Sequence, residues 1–244
     1  MLKAIFWDLD ETLCDTTGAN QKALEVMGEL AHGVYGEGFP TEDFTAAYLK
    51  GIYRDFGARY ADIFLPIEDE ASFRLELIEQ ILWDLGMDFV NEDDVADIQK
   101  TFDESRMSFF DFFSGMESFL EECQEKYCNV VITNGPIFSQ RQKVDTVMLR
   151  DKVDHVIIGG EEPQQKPHAS IFEKALGLAG VDASEVIHIG DSLACDIAGA
   201  NTVGIKSLWV SHGSSLDESV GQPDITVEHP RDIAAILRSD IFCK

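Results

Sequence analysis

The residues of this chain that can do chemistry come in short clusters. The first lies in the stretch AIFWDLDET, where an apolar run ends in Asp8 and Asp10, two apart. Two like charges at about 4 Å repel by about 4 kcal/mol at an effective dielectric of about 20. A carboxylate pair at the end of a buried strand therefore needs a hard cation, a retained proton, or both. Asp191, in IHIGDS, makes the demand stronger. Mg2+ suits such a set, because a few carboxylates give an oxygen-only shell with room for waters and a phosphate oxygen. Asp8 and Asp191 would bind it through their side chains. Asp10 would use its backbone carbonyl, which leaves its side chain free for proton transfer. Three further clusters carry polar groups: Thr133, Asn134 and Gly135 in VITNG, Lys166 before Pro167, and Ser192 with Asp196 after Asp191.

These clusters follow the elements that must position them. Short apolar runs at 2–7, 129–133, 155–158, 186–189 and 207–210, with a weaker one at 224–227, read as buried parallel strands. Helical stretches alternate with them, so the fold class is α/β, an open, doubly wound parallel sheet. In such sheets ligands bind beyond the carboxyl ends of the strands, which is where Asp8, Thr133, Lys166 and Asp191 fall. Between about 16 and 113 no strand is apparent. Four apolar stripes at helical spacing occur instead: Leu24, Met27, Ala31 and Val34; Phe44, Tyr48, Ile52, Phe56, Tyr60 and Ile63; Phe73 to Leu85; and Val95, Ile98 and Phe102. Gly86 stops the third helix and Asn91 caps the fourth, with Pro40 and Pro66 in the gaps. The expected organisation is a catalytic core of 1–15 and 114–244, with an inserted helical bundle at 16–113 hinged at 15–17 and 114–115. The stripes, and the aromatic cluster at 109–113, are read as packing.

Composition narrows the partners. The net charge of −26 repels nucleic acid and anionic lipid. The five cysteines are scattered with no CxxC pair, which points to reduced thiols in the cytoplasm. No apolar run is long enough for a bilayer or a signal peptide. An anionic substrate would need cations supplied locally.

The motifs DLDET at 8–12, TNG at 133–135, Lys166-Pro167 and GDSLACD at 190–196, in that order, resemble those of the haloacid dehalogenase superfamily in its phosphatase form. The insert between the first two motifs resembles the helical cap of the phosphoglycolate phosphatase-like branch. Segments such as IIGGEE and KPHASIF are similar to those of sugar-acid phosphatases. The resemblance implies Mg2+-dependent hydrolysis of a small phosphorylated metabolite by a monomer or homodimer. Asp8 would be the nucleophile. Asp10, held protonated by its acidic neighbours, would be acid and then base. Thr133, Asn134 and Gly135 would bind the phosphate, and Lys166 would neutralise its charge. Asp196 and Ser192 are candidates to support the metal ligands from behind; Asp196 either orients the metal shell or caps a helix.

Rival readings are weaker. An EF-hand loop needs Gly where Leu13 stands. Dehalogenases of the superfamily lack the second aspartate, which Asp10 supplies here. A phosphosugar mutase shares all four motifs and stays open, as does a binding module on the same fold, although Asp8 is intact. His188 reads as a packed histidine. Arg54, Arg59 and Tyr60 are candidates for substrate contacts, although a solvated helix face is the favoured reading, and Arg141 and Lys143 are undecided between the same two readings.

Overall fold

The computed structural model describes residues 1–55, 60 and 69–239. Phe56, Arg59, Ile63, Pro66 and the tail at 240–244 lie outside the described residues. The chain divides into two compact units, one formed by Met1–Thr16 and Phe110–Lys244, the other by Thr17–Phe109.

The second unit is helical: α1 (Thr16–Tyr35, entering from the first unit), α2 (Thr41–Ile52), α3 (Glu70–Asp84) and α4 (Glu92–Phe109). Their stripes meet in one apolar core that includes Met27, Ala31, Phe44, Tyr48, Phe73, Ile78, Val95, Ile98 and Phe102. Each large side chain so buried contributes about 1.5–3 kcal/mol. Val34 departs from its stripe and is exposed. The chain turns there on Gly36 (φ 84°), and the core contact passes to Tyr35, whose ring stacks on Phe39. The termini follow local chemistry. The Ser72 N–H donates to Asp69 Oδ2 at 2.8 Å ahead of α3, and the Asp93 N–H to Asn91 Oδ1 at 3.0 Å ahead of α4. Gly86 follows α3 at φ 81°, a conformation that costs glycine little. One polar chain crosses this core. Tyr48 donates to Gln99 Oε1 (2.6 Å), Gln99 to Asp103 Oδ2 (2.8 Å), and Arg74 to both Asp103 Oδ1 (2.7 Å) and Glu70 Oε1 (3.1 Å).

The first unit holds a six-stranded sheet of β1 (Ala4–Trp7), β2 (Cys128–Thr133), β3 (His155–Ile158), β4 (Val186–Gly190), β5 (Lys206–Val210) and β6 (Ile225–Val227). The order is β3-β2-β1-β4-β5-β6 and every pairing is parallel. Parallel pairing needs crossovers, and α5 (Met116–Gln124), α6 (Ile137–Thr146), α7 (Ala169–Ala179) and α8 (Ala198–Thr202) lie in them, while α9 (Ile233–Arg238) follows the last strand. Central β1 is wholly buried, which explains its unbroken apolar run. Trp7 lies opposite Val131 of β2 and Ile189 of β4, so the three strands end at nearly one level. The progression of strands across the sheet reverses between β1 and β4, a switch point where a crevice opens past the strand ends. Where the chain leaves this unit and returns, its two limbs pair. Cys14 bridges Phe112 antiparallel, the Asp15 N–H donates to the Asp111 carbonyl (3.0 Å), and the Phe113 N–H to that of Leu13 (2.9 Å).

Candidate active site

All of the site described below belongs to the sheet unit. Asp8 is the first residue past β1, and its N–H still donates to the Ile189 carbonyl at 2.8 Å. That bond holds the chain extended and fixes Asp8 at the crevice. Beyond it the loop turns tightly: the Leu13 and Cys14 N–H groups both reach the Leu9 carbonyl, and Glu11 adopts φ 56°. Thr12 is buried within this turn.

Asp8, Asp191 and Asp196 each present an oxygen within 4.8 Å of the others. Lys166 enters the same cluster, its Nζ bonding Asp8 Oδ1 and lying 2.6 Å from Asp196 Oδ1. The Asn134 side chain sets the course of the Lys166 backbone, donating to its carbonyl (2.8 Å) and accepting from its N–H (2.9 Å). In this way the loop after β2 fixes the lysine.

Asp196 sits on a π-helical turn, Leu193–Ile197, and is 1 % exposed. Its Oδ1 also meets His188 Nε2 at 2.9 Å, and its Oδ2 accepts the Ser192 N–H at 3.0 Å. It is therefore not a helix cap. Ser192 is the cap, its hydroxyl accepting from the Cys195 N–H at 3.1 Å. Gly190 makes the approach possible, since a Cβ there would stand 2.2 Å from Asp196 Cγ. Both carboxylate oxygens of Asp196 are thus committed to Lys166, His188 and Ser192, and Lys166 also engages Asp8 Oδ1.

The electrostatics follow from burial. Desolvation, with Asp196, Asp191 and Asp10 adding to it, holds the Asp8 carboxyl well above the usual range against the pull of Lys166. Burial and Asp196 push Asp191 up to about 7. Burial also raises Asp196, but Lys166 and His188 outweigh it and the net shift is downward. Burial would lower Lys166, but Asp196 and Asp8 reverse that and raise it. Burial keeps His188 below its ordinary value, against the opposing pull of Asp196. Burial thus favours protons on Asp8 and Asp191; with those protons displaced, three carboxylates against one ammonium would leave a charge of −2, which one divalent cation would balance. The donor set is oxygen only, so it fits Mg2+.

Asp10 departs from expectation. It is not kept protonated by acidic neighbours, and its side chain lies outside the carboxylate trio. Its Oδ1 accepts from Lys143 Nζ (2.6 Å) and the Thr16 hydroxyl, and its Oδ2 from Gln140 Nε2 (3.0 Å). Burial pushes this carboxyl up, but Lys143 and these hydrogen bonds more than compensate, and it lies below its usual range. The Gly135 N–H donates to Gln165 Oε1 at 2.9 Å. Thr133 is buried and its hydroxyl reaches the Asn134 carbonyl at 3.4 Å. Sequence reasoning left Lys143 undecided and missed Gln140, Thr16 and the contact of His188 with Asp196. QRQK at 140–143 was visible but carried no signal separating a buried face from a wet one.

An apolar central strand ending in a carboxylate, a lysine across the crevice and a Gly-Asp turn on the next strand gather at one edge of the sheet. Residues 2–204 match the haloacid dehalogenase-like hydrolases, and the chain belongs to that family. It is 32% identical over 220 residues to glyceraldehyde 3-phosphate phosphatase of Pyrococcus abyssi, covering 87% of this chain and 83% of that one. It is 24% identical over 245 residues to N-acylneuraminate-9-phosphatase of Rattus norvegicus, covering 100% and 96%. Among solved structures it is similar in fold to a HAD phosphatase from Thermococcus onnurineus (TM-score 0.62, 19% identity, covering 97% and 98%). It is likewise similar to L-2-haloacid dehalogenase from Xanthobacter autotrophicus (TM-score 0.66, 18% identity, covering 98% and 99%). Among the described residues no helix is long and apolar enough to cross a membrane.

Proposed function

We propose that this protein hydrolyses the phosphate monoester of a small metabolite, a phosphosugar or sugar acid, through a phosphorylated Asp8. The chain is a phosphoric monoester hydrolase. The observation that carries the reading is the placing of Asp8 at the end of β1, bonded to Lys166 and within 4.8 Å of Asp191 and Asp196. The phosphatase relatives support it, and those acting on glyceraldehyde 3-phosphate and N-acylneuraminate 9-phosphate suggest the substrate class.

An Asp8 oxygen attacks phosphorus, and the bond from phosphorus to the alcohol oxygen breaks. Protonated Asp10 gives its proton to that oxygen and is left as the carboxylate. The carboxylate then takes a proton from the water that attacks the phosphoryl group, which frees Asp8, releases phosphate and restores the acid. The hydrogen bonds from Lys143, Thr16 and Gln140 favour the carboxylate form of Asp10, which serves the second step. Lys166 offsets charge on the transferring oxygens, with Asp196 aiming it. Mg2+, held by Asp8 and Asp191, would supply further neutralisation of the phosphoryl group.

The test is a panel of phosphosugars, sugar-acid phosphates, nucleotides and phosphorylated acids, assayed with Mg2+ and with excess chelator. Mg2+-dependent phosphate release, lost in Asp8→Asn, is expected. Full turnover in chelator would overturn the metal role. Isomer interconversion without free phosphate would replace hydrolysis with mutase chemistry.

A further inference from the structure

The site contains a second buried lysine. Lys143 is 3 % exposed, on a chain whose net charge is −26 and whose other basic residues had every chance to stay wet. It lies in α6, three residues after Gln140, so both side chains leave the same helix face. Both are buried and both reach Asp10, Lys143 at Oδ1 and Gln140 at Oδ2. Thr16 closes the clamp on Oδ1. The Gln140 amide is turned by two acceptors at once, since its Nε2 serves Asp10 and also the Asn134 carbonyl at 2.7 Å. Its own Oε1 is buried with no partner, so the amide faces Asp10 at the expense of its carbonyl. The Lys143 ammonium lies 5.7 Å from the ring centre of buried Phe110, which lines the space it occupies.

We propose that Lys143, with Gln140, is a positioning residue for Asp10. It fixes the rotamer of that carboxyl and keeps it out of the Asp8–Asp191–Asp196 cluster, where it can serve the leaving group and then the attacking water. The inference rests on the phosphatase reading above. Two lysines then share out four aspartates, Lys166 serving the nucleophile's cluster and Lys143 the acid–base group. Without the second lysine, only Gln140 and Thr16 hold the Asp10 side chain, and the restraint against a swing toward the cation site weakens.

A merely structural lysine and a positioning lysine predict different kinetics. An aryl phosphate has a good leaving group that needs little protonation, whereas an alkyl phosphate depends on the acid. Lys143→Met should lower kcat on both, with the loss on the alkyl ester greater by about tenfold or more and KM little changed. Gln140→Leu, which keeps the buried ion pair, should move the same ratio in the same direction by a smaller factor. It also carries the test if Lys143→Met does not fold by circular dichroism. Equal losses on the two esters in folded variants would overturn the inference and leave the phosphatase reading intact. Wild-type protein that releases no phosphate, or an Asp8→Asn variant as active as wild type, would overturn that reading instead.

Discussion

Both units of this molecule bury a basic side chain among acids, and they do so to different ends. In the helical unit Arg74 answers Glu70 and Asp103, and the chain continues through Gln99 to Tyr48. The acids there keep some exposure (18% for Glu70 and 35% for Asp103), so water shares the work of solvation. In the sheet unit Lys166 faces Asp8 and Asp196 with side-chain exposures of 2%, 8% and 1%, and Asp191 stands beside them. The first network closes on itself and ties helices together. The second is left with surplus negative charge, unfavourable for folding and ready for a cation and a phosphate. A satisfied network stabilises, whereas an unsatisfied one marks where ligands are received.

Asp8→Asn should break the contrast most sharply. Turnover should fall by about 10³-fold or more while the melting temperature holds or rises, because one uncompensated buried charge is gone. Parallel activity and thermal-melt measurements check both, and a large drop in melting temperature would mean that the surplus charge is illusory. Gly190→Ala comes next. The new methyl displaces Asp196 and misaims Lys166, with about a tenfold or greater loss of kcat and about 1–3 kcal/mol of stability lost in urea melts. Arg74→Met tests the other side. Two partly wet carboxylates and a buried hydroxyl lose their cation, for about 1–2 kcal/mol of stability, with kcat on an aryl phosphate staying within about twofold. A collapse of activity there would show that the two networks are not separate in function. The smallest effect concerns thiols. Burial pushes Cys123 up to about 12 and raises Cys14 as well, so both should stay protonated at about pH 8. Peptide mass spectrometry after alkylation of native protein should find them unmodified, with reaction at Cys123 growing only as the pH approaches its shifted value.

Much of this was legible in the sequence, for a physical reason. Parallel strands bring their carboxyl ends to one edge, so Asp8, Asn134 and Asp191 could be gathered in space without knowing a single contact. Buried strands and amphipathic stripes gave themselves away by period. Helix α6 did not, because its charges fall on both faces. Arg141 is exposed and pairs with Glu161 at 2.7 Å, while Lys143, two residues on, is buried against Asp10. A turn of about 200° separates them, and nothing in QRQK says which one faces inward. His188 hid for another reason: within a strand covered on both faces, alternation of pattern no longer marks direction. The ionised state of Asp10 hid with Lys143, since neighbours in sequence supplied only acids. Asp196 needed the π-helical turn, a feature no residue pattern announces.

The paired limbs around Cys14 and Phe112 have a consequence for how such a molecule can be altered. Because departure and return lie side by side and bond to each other, whatever is carried between them makes no demand on the strand order beneath. That segment behaves as a cassette. A short reverse turn spliced from Asp15 to Asp111 should leave the sheet able to fold, and foreign modules of quite different size could be grafted at the same stem.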